Sequence, residues 1–238
     1  MARANRQRKA IARENPRRGS PLARPRRDRG AETRERLIEA AIDVFGRQGY
    51  EGATTRQIAK AAKANLAAIV YHFGSKEALY VAVAEHLVTE IDRRMGPVLA
   101  FVEASFPTRP AEALALLKRM LEAFVDVVLG NPQAQRWARI IIREMLDPGA
   151  AFDILYRFTG RAHGIATRLV GVATGADPEA TETKLRAFSV LGQGIVFRVA
   201  NALVLKRIGQ TELGPADRET IKRILTGNVE AMLAGGSR

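Results

Sequence analysis

Residues that could do covalent chemistry are few in this chain. Its three histidines, His72, His86 and His163, stand far apart, and none falls in a zinc-binding spacing such as His-Glu-x-x-His. Cysteine is absent, which removes thiolate metal ligation, disulfides and a cysteine nucleophile. No Gly-x-Ser-x-Gly elbow or Gly-x-x-x-x-Gly-Lys-Ser/Thr loop occurs. Gly192-Gln193-Gly194 lies inside an expected helix, where close helix packing accounts for it better than a phosphate cradle. No catalytic residue, metal ligand or cofactor is expected, and an enzyme would have to draw on scattered carboxylates. What the chain offers is positive charge: 38 Lys and Arg against 25 Asp and Glu, a net +13. Eleven of those bases fall within residues 1–30 against only Glu14 and Asp28, among three prolines. Such an arm repels itself and has little to bury, so it is expected to be disordered. It is either a solubilising tail or an aid to DNA binding through counterion release.

The elements that must carry any site are helices. With 238 residues, 47% of them hydrophobic, the chain can bury a real core in one large or two modest domains. Its longest runs without Asp, Glu, Lys or Arg, Ala64 to Ser75 and Ala187 to Phe197, are 12 and 11 residues, little more than half of the ~20 that span a bilayer. No membrane partner is expected, and with no apolar run behind the basic N-terminus a cytoplasmic location is. Leu37, Ile38, Ala41, Ile42 and Phe45 recur at helical spacing over 31–48, and Gly49 is suited to cap that helix. Thr54 or Thr55 can cap a short second helix with Ile58, Ala59 and Ala62 inward. After Lys63-Ala64-Asn65 comes a third helix, Leu66 to Phe73, and Gly74-Ser75 separates it from a fourth beginning at Lys76. Two short helices across a tight turn, with alanines at the crossing, form a helix-turn-helix. Met95-Gly96-Pro97 and Phe106-Pro107-Thr108-Arg109-Pro110 punctuate the chain, and further helices are expected near 110–129, 133–147, 150–172, 178–208 and 216–233. The fold class is all-α: a basic arm (1–30), a three-helix helix-turn-helix domain (31–80) and a larger helical bundle domain (81–238).

The third helix must bury one face and offer the other to the major groove. Spacing turns Leu66, Ile69 and Phe73 inward and leaves Ala67, Ala68, Val70, Tyr71 and His72 outward. Alanine and valine there suit thymine methyls, while Asn65 either pairs with a base edge or caps the helix. The segment Thr54-Thr55-Arg56-Gln57-Ile58-Ala59-Lys60-Ala61-Ala62, with Asn65-Leu66-Ala67-Ala68-Ile69-Val70-Tyr71-His72-Phe73-Gly74-Ser75-Lys76-Glu77-Ala78-Leu79-Tyr80, resembles the DNA-binding domain of TetR-family transcriptional regulators. The version carried here is most similar to the CecR subgroup, as is Arg143-Glu144-Met145 followed by Pro148 and Ala151-Phe152-Asp153. The resemblance implies that Thr55, Arg56, Tyr71, His72 and Lys76 hold phosphates, with Asn65, Leu66, Ala67 and Val70 nearest the bases. One position departs from the family: the turn glycine is replaced by Lys63, so either the turn is strained or Lys63 adopts another geometry and offers its charge to the DNA backbone.

The resemblance further implies a homodimer on a pseudo-palindromic double-stranded operator, acting as a repressor released by a small apolar or amphipathic effector. The stripe Leu185, Phe188, Leu191, Gly192, Ile195, Val199, Ala202 and Leu203, with Ile221, Ile224, Leu225, Val229 and Met232, fits the family's dimer bundle. Candidate effector contacts are Trp137, Ile141, Met145, Phe152, Tyr156 and Phe158, with Arg139, Arg143, Glu144, His163 and Gln193 as polar partners. Each has an alternative as core packing or as a surface helix pair. The rival function is an architectural, sequence-tolerant DNA-binding protein driven by the arm.

Overall fold

The computed structural model describes residues 26–234. The arm therefore lies outside the described residues up to residue 25, and its last five residues open the first helix. The described residues form ten α-helices and no strand: α1 (Arg26–Gly52), α2 (Thr55–Ala61), α3 (Leu66–Phe73), α4 (Lys76–Ala104), α5 (Pro110–Gly130), α6 (Ala134–Leu146), α7 (Phe152–Thr174), α8 (Thr181–Val199), α9 (Asn201–Ile208) and α10 (Pro215–Ala234). None is long and apolar enough to cross a membrane alone.

Local chemistry sets the boundaries of the first four helices. α1 starts five residues earlier than its apolar periodicity suggests and breaks at Gly49, whose φ of 76° is left-handed. A Cβ there would meet only the tip of the Arg143 side chain, which can swing aside, so it is the φ that calls for glycine. Thr54 caps α2 in a reciprocal box: its Oγ1 accepts from Gln57 N at 3.2 Å, and Gln57 Oε1 accepts from Thr54 N at 2.9 Å. Asn65 Oδ1 accepts from Ala67 N at 2.9 Å to start α3, and Ser75 Oγ from Ala78 N at 3.0 Å to start α4. Between α2 and α3, Ala64 N donates to Ala59 O at 2.9 Å and Lys63 N to Lys60 O at 3.2 Å. That pair of bonds is the Schellman closure, which needs a left-handed residue, and Lys63 supplies it at φ 51°.

Two apolar cores result. The first gathers Leu37, Ile42, Phe45, Ile58, Ile69 and Leu79 from α1 to α4, and takes in Trp137 and Ile140 from α6. The second lies among the C-terminal half of α4 and α5, α7, α8 and α10. α4 belongs to both: Leu79, Val83 and Leu87 serve the first, Met95, Leu99 and Val102 the second.

Three expectations need correction. Met95-Gly96-Pro97 does not interrupt the chain, because Pro97 sits within α4; the lost amide donor costs one helical bond there, and packing on both sides carries the helix through. The single helix expected over 178–208 is two, α8 and α9, meeting at Ala200 with a bend of 71°. Leu66, placed inward by spacing, is 44% exposed, and among the residues of α3 only Ile69 is buried. Eight residues give barely two turns, so the inward stripe is one residue deep.

A non-glycine residue held in the left-handed region is strained by about 1–2 kcal/mol, part of which glycine returns through its unfolded-state entropy. Lys63→Gly is expected to raise unfolding free energy in urea by up to about 1 kcal/mol, and Lys63→Val, β-branched at that φ, to lower it by about 1 kcal/mol or more. Equal stabilities for the two variants would mean that the turn does not hold this geometry in solution.

Candidate nucleic-acid interface and ligand cavity

The outer face of α3 is unusually apolar for a solvated surface. Tyr71 is 84% exposed, Val70 65% and Leu66 44%, with Ala67 beside them. Large apolar groups left outside a core in this density mark a contact surface. α2 and α4 both pack against α3, so the first turn of α2, with Thr55 half-buried and Arg56 exposed, and the first residue of α4, Lys76, lie to either side of it. The Lys76 ammonium sits 4.4 Å above the ring of Tyr50, which holds it at the start of α4. His72, half-buried, is edge-on to Tyr71 with ring centroids 4.9 Å apart. Asn65 is a cap, and its Oδ1 is spent on Ala67 N. All nine residues anticipated for DNA contact thus fall on α2, on α3 and its N-cap, or on the first residue of α4. Arg56 and the further exposed cations Lys60 and Lys63 charge the same region positively.

A second feature lies in the helical half. α4, α5, α6, α7 and α8 line a partly open cavity of about 310 Å³ whose wall is almost wholly apolar. Of the anticipated effector residues, Trp137, Ile141, Met145 and His163 line it, as does Phe158. His163 stacks on Phe188 with ring centroids 4.0 Å apart. Its Nδ1 is buried with no hydrogen-bond partner among the described residues, and burial pushes the imidazole pKa down, which keeps the ring neutral near pH 7. The wall also carries Arg198, which the sequence reading did not select. The signal was present: 188, 191, 195 and 198 share one face of α8, so an arginine ending an apolar stripe points where the stripe points.

The other anticipated effector residues lie elsewhere. Phe152 and Tyr156 stack on one another at 5.9 Å, with Tyr156 exposed. Gln193 Nε2 donates to Val190 O at 3.2 Å, and its Oε1 accepts from Asn228 Nδ2 at 3.3 Å. Arg139 is exposed and lies outside the wall. Arg143 and Glu144 face away from the cavity toward the first core. Glu144, 5% exposed, accepts from the Tyr80 hydroxyl at 2.8 Å through Oε1 and from Gly149 N at 2.9 Å through Oε2. Burial, and then that bond to Glu144, push the Tyr80 pKa up, so Tyr80 remains a donor. Arg143 Nη2 reaches Arg47 O at 3.4 Å, at the end of the straight part of α1. One helical turn pair earlier on α6, Arg136 donates from Nε to Asp43 Oδ1 at 2.6 Å, from Nη1 to Glu39 Oε2 at 3.0 Å and from Nη2 to Glu39 O at 3.0 Å. His86 Nε2 of α4 stands 3.6 Å from the same Glu39. α6 therefore presents Ile141 and Met145 to the cavity and clamps α1 and α4 with Arg136, Arg143 and Glu144.

Comparison with known proteins agrees with this geometry. Residues 37–83 match the family described as bacterial regulatory proteins, tetR family, and residues 113–236 match the C-terminal domain of the HTH-type transcriptional dual regulator CecR. The chain is similar to CecR of Shigella flexneri, 31% identical over 213 residues that cover 88% of this chain and 95% of that protein. Among solved structures, a TetR-like transcriptional regulator from Rhodococcus sp. RHA1 superposes with a TM-score of 0.61 at 20% identity, covering 85% of this chain and 96% of that one. AibR in complex with isovaleryl coenzyme A and operator DNA does so with a TM-score of 0.61 at 17% identity, covering 82% and 97%. An N-terminal helix-turn-helix of the TetR type followed by a helical half of the CecR type is what these matches establish: the chain belongs to the TetR family of bacterial transcriptional regulators and is not an enzyme.

Proposed function

We propose that this regulator is a homodimeric repressor, located in the cytoplasm, that leaves a pseudo-palindromic operator when a small apolar or amphipathic effector enters the cavity. The observation that carries the reading is the double role of α6, a 13-residue helix with the cavity on one side and the clamp to α1 and α4 on the other. An occupant that displaces Trp137, Ile141 or Met145 must move Arg136 and Glu144 with them, because all five ride on one rigid helix. The shift reaches α1 and α4 directly and changes the separation of the two recognition helices in a dimer, which weakens the match to half-sites a fixed distance apart. AibR, a protein of like fold, is seen in complex with isovaleryl coenzyme A and operator DNA, which supports the two kinds of partner, a small molecule and DNA, for this fold.

The dimer reading rests on the outer faces of α8 and α9. Leu185, Val196, Val199 and Leu203 are all exposed, as is Ile224 of α10, and Phe188, 55% exposed, borders both this face and the cavity. The rest of the α10 stripe, Ile221, Leu225 and Val229, is spent inside the second core. A contiguous apolar face of this kind on a single chain suits a two-fold partner. On the DNA side, Tyr71, His72, Thr55, Arg56 and Lys76 would hold phosphates while Asn65, Leu66, Ala67 and Val70 lie nearest the bases. With so few polar groups on that face, sequence would be read in part through thymine methyls and groove shape. We divide the chain as a basic arm, a DNA-binding domain to about residue 80 and an effector and dimerisation domain thereafter, with α4 shared between the two.

The primary test is to pass the full chain over fragmented genomic DNA of its source at moderate salt and to sequence what is retained. A sharp pseudo-palindromic site is expected; diffuse retention that disappears with salt would instead favour an architectural binder. On that site, Tyr71→Ala and Lys76→Ala are each expected to weaken binding about tenfold, the scale of one lost charge-assisted contact, without altering the sedimentation of the protein. Unchanged affinity in both would remove them from the interface. Val199→Glu, placing a charge on the exposed face of α8, is expected to yield monomers in analytical ultracentrifugation, and a stable dimer would relocate the interface. Arg136→Met is expected to keep operator affinity within about threefold while abolishing most of the ligand response, since it cuts the coupling and neither site. A full ligand response in that variant would mean that the signal passes elsewhere.

A further inference from the structure

Most of the half-buried cations of this protein are matched by carboxylates. Arg136 has Glu39 and Asp43, Arg94 has Glu90, Arg161 has Asp92 and Glu103, and Lys222 has Asp126 and Glu219. Arg198 is different. Its Nε donates to Val128 O at 2.8 Å and its Nη2 shares that same carbonyl, near the C-terminus of α5. No carboxylate lies in ion-pair range of it among the described residues, and the opposite edge of the guanidinium, Nη1 with the second hydrogen of Nη2, has no protein partner there. Burial lowers the pKa of this arginine, though arginine stays charged at neutral pH. A desolvated cation in an apolar wall is costly, and the cost is recovered when an anion of matching shape joins it. The free guanidinium edge is planar with two parallel donors, the shape a carboxylate takes in a bidentate pair.

The far end of the cavity has its own mark. Phe188 and Arg198 are ten residues apart on α8, about 15 Å along the axis at 1.5 Å per residue. Between them the wall is formed by Leu191, Gly192 and Ile195 from α8 with Phe124 from α5. At the Phe188 end lies His163, neutral and with Nδ1 unsatisfied. The cavity is therefore elongated, apolar along its length and cationic at one end.

We propose that the cavity selects an organic anion, with a carboxylate paired to the free edge of Arg198 and an apolar body lying along α8 toward Phe188 and His163. This rests on the reading of the cavity as the effector site and narrows it to a chemical class. An amine would be repelled by Arg198, and an alcohol would regain a single hydrogen bond without the charge pairing. Aliphatic and aromatic acids both satisfy the chemistry.

The test uses the full chain and three probes of one length, decanoate, 1-decanol and decylamine, each below its aggregation threshold, with affinity read by calorimetry and operator release by fluorescence anisotropy. On the wild-type protein decanoate is expected to bind at least tenfold more tightly than 1-decanol, with decylamine weakest. In Arg198→Gln the preference for decanoate over 1-decanol is expected to vanish while 1-decanol binds as before. Because Arg198 also holds Val128 O, folding of this variant is checked by circular dichroism. Arg198→Lys, which keeps the charge but loses the planar edge, is expected to show an intermediate preference. Equal binding of decanoate and 1-decanol to the wild type, or a preference that survives in Arg198→Gln, overturns the assignment. If 1-decanol then still releases DNA, the cavity remains an effector site and only its selectivity for anions is lost. If none of the three binds, both readings fall.

Discussion

The placement of Arg136 against Glu39 and Asp43 is the contact on which the proposed coupling between cavity and DNA-binding helices depends. α6 is only 13 residues long and supplies Trp137 and Ile140 to the first core, so it could have been a passive buttress. The guanidinium changes that, because it bonds both carboxylates and the Glu39 carbonyl of α1 at once. Arg143 and Glu144, seven and eight positions along, extend the hold to Arg47 of α1 and Tyr80 of α4. Seven residues is close to two helical turns, so the three lie along one side of α6 and cannot relax independently. A single exposed ion pair would contribute little, since solvent screens it. This cluster is half-buried, multidentate and braced by a fully buried Tyr–Glu bond, and its members must move together or break together.

That arrangement also sets the scale of regulation. Allosteric coupling in proteins is commonly about 1–3 kcal/mol. One charge-assisted hydrogen bond is worth a similar amount. The clamp therefore holds enough free energy to transmit a response without being so strong that a ligand of modest affinity could not bias it. A cavity of about 310 Å³ lies near the lower end of the range typical of small-molecule sites, so its occupant touches α6 over much of its surface.

How much of this was legible in the sequence follows from how local each feature is. The helix-turn-helix was readable because Thr54, Asn65 and Ser75 act on backbone amides two or three residues away, and Gly49 acts on its own φ. The strained turn at Lys63 was readable for the same reason. The continuation of α4 through Pro97 was not, because what overrides the proline is burial of Met95, Leu99 and Val102 against other helices. Nor was the bend at Ala200, where nothing in the local residue types stops a helix. The cavity was half legible: Trp137, Ile141, Met145 and His163 stand out by type, whereas Arg143 and Glu144 are polar residues on the same helix that turn to the opposite side. Tyr80 and Glu144 are 64 positions apart, and no pattern along the chain announces such a pair.

The recognition helix shows what the fold spends stability on. α3 buries Ile69 alone and exposes Leu66, Val70 and Tyr71, so it contributes little to its own anchoring. An isolated helix of eight residues would not persist in water. It is held by its N-cap, by the closed turn before it, and by Ser75 starting α4 immediately after. The scaffold beneath is correspondingly rigid: Tyr80 meets Phe45 at 4.8 Å and Tyr50 at 5.1 Å, and Lys76 closes over Tyr50. Tyr80 is thus shared between the aromatic cluster that fixes the start of α4 and the hydrogen bond to α6. Stability of the DNA-reading surface and sensitivity to the cavity converge on one phenol, so the contact that orders the recognition helix is also the one through which a ligand can disorder it.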